Sequence, residues 1–245
     1  MEGRRKMTPL DSYLVHNPPL FSVIIPVLNE APGINEAISL LQAQEPAGGR
    51  ELIVVDGDPS GSTISGITAD RVRKMISERG RARQMNNGAA IAKGEILVFL
   101  HADTRLPARA FSLIHQTMSD QRFVAGAFDL GFDTHRMIFK ITEKYVHLRS
   151  RLTRAPFGDQ AIFIRRGYFQ ELGGYRNIPI MEDVDLMKRI RRRGDRIAII
   201  PEKVLTSPRR YEAEGILYGT FRNWMLQMLY GCGVSPERLE KWYRS

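Results

Sequence analysis

The chain has 245 residues, 43% hydrophobic and 26% charged, which excludes a wholly disordered chain and allows one large core. Thirty-six Lys and Arg against 27 Asp and Glu leave a formal charge of +9; the surplus suits anionic partners such as nucleotide phosphates or acidic lipid, and equally suits plain solubility. Cys232 is the one cysteine, so an intramolecular disulfide and a thiolate metal cluster are both excluded.

Met1 to Lys6 are basic, but no apolar stretch follows before Pro18-Pro19, so residues 1–19 read as a poorly ordered leader rather than a signal peptide. No apolar run reaches the roughly 18 residues of a membrane span, and a cytoplasmic protein is expected. Phe21 to Leu28 forms a buried-strand pattern that Pro26 brings to its exit. Asn29 can cap a helix over 31–44, where Ile34, Ala37, Ile38 and Leu41 keep helical spacing. Glu51 to Val55 is a second strand running into Asp56, and Val72 to Ser77 a weaker third. Arg81 to Ala92 reads as a helix closed by Lys93 and Gly94. Glu95 to Leu100 is the next buried strand, ending abruptly in His101-Ala102-Asp103-Thr104.

Beyond it the pattern predicts a helix over 107–119, a strand over 123–132 and a helix over 138–152. A short strand over 160–164, a helix over 181–193, a strand over 196–200 and a long amphipathic helix over 214–230 follow. Strands alternating with helices indicate an α/β fold, a mostly parallel sheet with helices on both faces. The expected organisation is a main domain over 20–210 and a C-terminal helical extension over 211–245 packed on it.

Ligands in open α/β sheets bind outside the carboxyl ends of the strands, where Asp103 falls. Mg²⁺ and Mn²⁺ prefer oxygen donors and often use one or two carboxylates beside substrate phosphates, which makes Asp103 the best metal ligand. His101 lies on the same side of the extended segment and could touch nucleotide or metal, or be structural. Asp56 and Asp58, in a Gly- and Pro-rich turn, can accept hydrogen bonds from a base or ribose, or simply shape the turn. Arg81 and Arg83, near a helix start, are phosphate contacts or solvated surface arginines. Glu182, Asp183 and Asp185 open a helix; they either serve its dipole or place a carboxylate for general base catalysis. Neither a Gly-x-Gly-x-x-Gly loop nor a Walker lysine loop is present.

The order and spacing of Val23-Ile24-Ile25-Pro26-Val27-Leu28-Asn29-Glu30, Val54-Val55-Asp56-Gly57-Asp58, Asn86-Asn87-Gly88 to Gly94-Glu95, Leu100-His101-Ala102-Asp103 and Glu182-Asp183 resemble family 2 glycosyltransferases of the GT-A fold. The tail, with Arg222-Asn223-Trp224, is similar to a small soluble bacterial subgroup. The resemblance implies a Rossmann-like sheet, a nucleoside-diphosphate sugar donor, a hydroxyl acceptor and a divalent cation, Mg²⁺ or Mn²⁺. It implies that Pro26, Asn29 and Glu30 line the nucleotide pocket, that Asp56 holds the base with Asp58 nearby, and that Arg81 or Arg83 contacts phosphate. Asp103 then matches the last Asp of the family's Asp-x-Asp metal motif, with His101 in place of the first. Asp183 matches the catalytic base, assisted by Glu182, in a reaction that usually inverts the anomeric carbon.

Two other classes stay open on the residues alone. A nucleotidyltransferase acting on sugar phosphates can share such a sheet. A non-enzymatic membrane-surface module would use Ile216, Leu217, Tyr218, Phe221, Trp224, Met225, Met228 and Leu229, an apolar face that core packing would equally explain. Peripheral contact at the inner face of a membrane is also compatible with transfer to a lipid-linked acceptor. No nucleic-acid-binding motif is present.

Overall fold

The computed structural model describes residues 19–44, 49–134, 136–207 and 215–244. The expected leader, except for Pro19, and the junction at 211–214 lie outside these residues. Eight strands form one sheet: β1 Phe21–Val27, β2 Arg50–Asp56, β3 Val72–Ile76, β4 Ile96–Phe99, β5 Thr104–Arg105, β6 Phe123–Phe132, β7 Phe163–Arg165 and β8 Arg196–Thr206. Their order is β3-β2-β1-β4-β7-β6-β8-β5. β7 pairs antiparallel with both β4 and β6, and β5 antiparallel with β8; the other pairings are parallel.

The helices are α1 Ala31–Gln42, α2 Arg81–Ile91, α3 Ala110–Ser119, α4 Met137–Thr153, α5 Arg166–Glu171, α6 Glu182–Arg192, α7 Ile216–Gly231 and α8 Pro236–Arg244. Side chains alternate across each strand, so the apolar runs feed two cores at once. Val23, Ile25 and Val27 of β1 pack with Ile34 and Ile38 of α1, Phe111 and Ile114 of α3 and Phe139 of α4. Ile24 and Val55 face the other way, onto Met85 of α2, Phe169 of α5 and Leu186 and Ile190 of α6. Both faces are therefore covered, as the continuous apolar strands require.

The structure shifts several predicted elements. Gln160 belongs to a single 3-10 turn, Gly158–Gln160, and the strand starts at Phe163. Its side chain is a buried polar hub: Oε1 accepts from Ser150 Oγ at 3.0 Å and Phe157 N at 3.0 Å, and Nε2 donates to the Phe128 carbonyl at 2.8 Å. β8 does not stop at Ile200. The register with β6 jumps from Phe128/Ile200 to Asp129/Lys203, and this bulge absorbs Pro201 and lets the strand run on to Thr206. α3 begins at Ala110 rather than Pro107, whose carbonyl instead accepts from Ala110 N in the preceding turn. α5 was not expected, whereas α8 lies within the stretch expected as a C-terminal helical extension.

The crevice arises where β1 and β4 part. Their register ends at Ile24/Phe99, while β1 continues beside β2 to Val27/Asp56. Pro26 thus falls where only the β2 side needs a ladder partner. Gln84 of α2 reaches the edge of the opening, its Nε2 donating to the carbonyls of Val27 and Val55 at 2.8 Å each. Consecutive strands fold outward from β1 in opposite directions here, the topological switch point at which α/β sheets hold ligands.

Candidate active site

Two cavities open at this switch point and share Arg81, His101 and Asp103 as walls. The larger, about 640 Å³, lies over the ends of β1 and the start of α2 and is lined by Pro26, Glu30, Arg83 and Asn177 as well. The smaller, about 140 Å³, is closed by Phe157, Gly158, Asp159, Glu182, Asp183, Asn223 and Tyr243. Of the residues singled out from the sequence, Pro26, Glu30, Arg81, Arg83, His101, Asp103, Glu182 and Asp183 come together around this double cavity.

Asn29, Asp56 and Asp58 line neither cavity. Asn29 takes a left-handed backbone, φ 60°, and Glu30 rather than Asn29 occupies the N-cap of α1. Asp56 is fully buried; its carboxylate accepts from the amides of Asp58 at 3.0 Å, Thr63 at 2.8 Å and Ile64 at 3.2 Å. It therefore fixes the loop after β2 from within. Asp58 accepts from the amide and hydroxyl of Ser60, and its bonds to Ser62 and Ser60 hold its carboxyl down at about 2.

The three acids at the start of α6 do three different things. Glu182 is buried and lies 3.1 Å from Arg81 Nε. Burial raises its carboxyl above the ordinary value against the pull of Arg81, while Asp183 raises it further. Asp183 is half-buried at the wall of the smaller cavity; its Oδ2 accepts from Gly158 N at 2.7 Å and its Oδ1 from Val184 N at 2.7 Å. Asp185 is a structural hub, bonded to Arg189 Nε at 2.7 Å and accepting from Tyr230 of α7 at 3.1 Å. Arg189 in turn donates to the carbonyls of Leu172 and Gly174. The buried Tyr175 stands behind this group, its phenol pushed well up by burial and by the charges of Asp183 and Glu182.

Backbone strain marks the same place. Met181, the N-cap residue before α6, has φ 67°, a costly conformation for a side chain of its size. It turns the chain so that Glu182 and Asp183 open the helix into the cavity.

The segment Phe157 to Asp159 was missed in the sequence. It reaches the site because β7 runs against β4, so residues just before β7 arrive beside the carboxyl end of β4, where Phe99 N donates to the Ile162 carbonyl at 2.8 Å. Asn223, Glu240 and Tyr243 come from α7 and α8, whose approach to the sheet no local pattern announces. The polar Gly158-Asp159-Gln160 cluster between two apolar stretches was the available signal.

Among the described residues no cluster of three or more His, Cys, Asp or Glu could hold a metal ion. The donors at the shared wall are one exposed carboxylate, Asp103, and the imidazole of His101, beside the guanidinium of Arg81. That set fits a cation that takes its remaining oxygens from a bound diphosphate, and no self-sufficient cage.

The family model for glycosyl transferase family 2 matches residues 22–194, most of the chain and every element that builds the double cavity except the end of β8, α7 and α8. The chain belongs to glycosyl transferase family 2. The match decides among the three classes left open by the residues, for a glycosyltransferase over a nucleotidyltransferase or a non-enzymatic module. No curated protein matches this glycosyltransferase significantly by sequence.

Solved structures show its fold to be that of the GT-A glycosyltransferases. The mannosyltransferase PcManGT from Pyrobaculum calidifontis, in complex with GDP-Man and Mn²⁺, superposes with a TM-score of 0.67 at 24% identity, over 91% of this chain and 67% of that one. TarS 1-349 of S. aureus superposes with a TM-score of 0.58 at 16% identity, over 85% of this chain and 65% of that one. The glycosyltransferase thus spans about two thirds of either. Among its described residues no helix is long and apolar enough to cross a membrane.

Proposed function

We propose that the enzyme moves one sugar from a nucleoside-diphosphate sugar to an acceptor hydroxyl, with inversion at the anomeric carbon and with the help of a divalent cation. The sharing of Arg81, His101 and Asp103 by the two cavities carries this reading. A diphosphate at the shared wall would have its nucleoside in the larger cavity, past Pro26 and Glu30, and its sugar directed toward Asp183. The likeness to a fold solved with GDP-Man and Mn²⁺ supports the donor class and the cation.

Arg81, held by Glu182 on one side, presents its guanidinium to the leaving diphosphate, and Arg83 borders the same cavity, bonded to Asn177 at 2.9 Å. Asp103 with His101 would hold the cation, which when bound neutralises charge on the departing diphosphate. The acceptor oxygen attacks the anomeric carbon from the face opposite the diphosphate. As that C–O bond forms, the bond to the diphosphate oxygen breaks and the hydroxyl proton passes to an Asp183 oxygen. Gly158 N–H and Val184 N–H fix the carboxylate without taking a proton from it, and each oxygen keeps a further lone pair for the substrate.

The test is a thermal-shift screen of nucleoside diphosphates and their sugars, with and without Mn²⁺. Stabilisation by one nucleotide series that depends on Mn²⁺ and is lost in Asp103→Asn is expected. No response to any nucleotide sugar overturns the reading.

A further inference from the structure

Two helices turn apolar faces outward. On α4, Phe139, Val146 and Ser150 are buried, whereas Met137, Ile141, Tyr145, Leu148 and Leu152 are exposed, Met137 and Leu152 at 77% and 74%. At the α-helical repeat these five fall within an arc of about 80° on the side away from the core. On α7, Tyr218, Phe221, Trp224 and Met228 are exposed while Leu226 is buried. The two helices touch, and Tyr145, Trp224 and Met228 line one groove of about 590 Å³, so the two stripes meet.

The rim of this face is basic. Lys140 and Lys144 stand exposed on α4 at the edge of its stripe, and Lys188, Arg191 and Arg192 of α6 line the opposite wall of the groove. Glu143 is the one acid on α4, and it is tied down by Lys203 and by the amide of Phe132. Soluble domains seldom leave so extended an apolar patch uncovered. Apolar side chains at the centre with lysines at the flank are the layout of a helix lying in a membrane interface, where the lysines reach back to the head groups. The chain's net charge of +9 adds attraction to acidic lipid.

We infer that the α4–α7 face docks on an anionic bilayer, with both helices lying in the plane of the interface. The face adjoins the smaller cavity: Arg149 of α4 stacks on the Phe157 ring at 3.6 Å and donates to Gln160, and Gly158, the residue after Phe157, bonds Asp183. Docking therefore sets the Asp183 side of the site near the lipid. The inference needs neither the donor nor the base assignment, since its readouts do not involve turnover.

Full-length protein is sedimented with vesicles of phosphatidylcholine alone and of phosphatidylcholine with about one third phosphatidylglycerol. The expected result is salt-sensitive binding to the anionic vesicles, with a blue shift of Trp224 emission in a Trp242→Phe background. The Ile141→Asp/Leu148→Asp double variant, which changes exposed positions and whose folding is checked by circular dichroism, loses binding by about tenfold or more. Lys140→Glu/Lys144→Glu weakens binding to the anionic vesicles. Absence of binding to either vesicle, or binding that neither variant lowers, overturns the inference. So does a dimer seen by light scattering, dissolved by Ile141→Asp/Leu148→Asp, in a protein that ignores vesicles.

Discussion

The Gly158 N–H donates to Asp183 Oδ2 at 2.7 Å, joining the turn before β7 to the first turn of α6. Two segments 25 residues apart in sequence are thereby locked together at the wall of the smaller cavity. A Cβ at Gly158 would stand 3.1 Å from His101 Nε2 and 3.4 Å from Asp183 Oδ2. Gly158→Ala keeps the N–H but crowds the imidazole. Turnover is expected to fall by about tenfold with donor affinity nearly unchanged, as steady-state kinetics and donor titration would show.

Removing Arg81 has two separable costs. Arg81→Met leaves Glu182 buried without its partner, and a loss of roughly 2 kcal/mol in urea unfolding is expected. It also weakens donor binding. Adding Glu182→Gln should restore most of the stability and none of the donor affinity.

Glu182 makes stability depend on pH in a direction opposite to most paired carboxylates. Burial outweighs Arg81 and raises its folded-state value above the unfolded one. The folded chain then holds this proton longer, so the group's contribution is fully present below the unfolded value and is lost as pH rises through the folded one. The stability of the native protein minus that of Glu182→Gln should therefore fall as pH rises above the ordinary glutamate value, measured by urea unfolding at each pH. A flat difference would remove the raised carboxyl from the account.

The sequence made the sheet's centre readable because β1, β2 and β4 are buried on both faces, and such strands show as unbroken apolar runs bounded by polar residues. Pro26, His101 and Asp103 fall at or just past strand ends for the same reason, and Arg81 and Asp183 fall in the first turns of α2 and α6. What stayed hidden was set by pairing rather than by local pattern. The reversed direction of β7 brings Gly158 to His101, the bulge in β8 carries a strand past Pro201, and Asp56 proved to be held by its own loop. Asp183 and Asp185 look alike in sequence; only the packing of Tyr230 and Arg189 on Asp185 tells them apart.

The sequence resemblance puts His101 in the place of a carboxylate of the family's metal motif, and on the proposed function the cation should then be held more loosely than an Asp pair would hold it. EDTA is expected to abolish turnover and Mn²⁺ to restore it. His101→Asp should lower the Mn²⁺ concentration for half-maximal activity by about tenfold. Turnover indifferent to EDTA would take the cation out of the mechanism.

The assignment of Asp183 as base is tested most directly by comparing Asp183→Asn with the native enzyme on the nucleotide sugar that stabilises it. Donor affinity is read by calorimetry, and nucleoside-diphosphate release by single-turnover kinetics. The asparagine keeps an oxygen for the Gly158 N–H and cannot accept the acceptor's proton. Release slowed by at least about a hundredfold with donor affinity held within a few-fold is the expected result. Release at the native rate would contradict it.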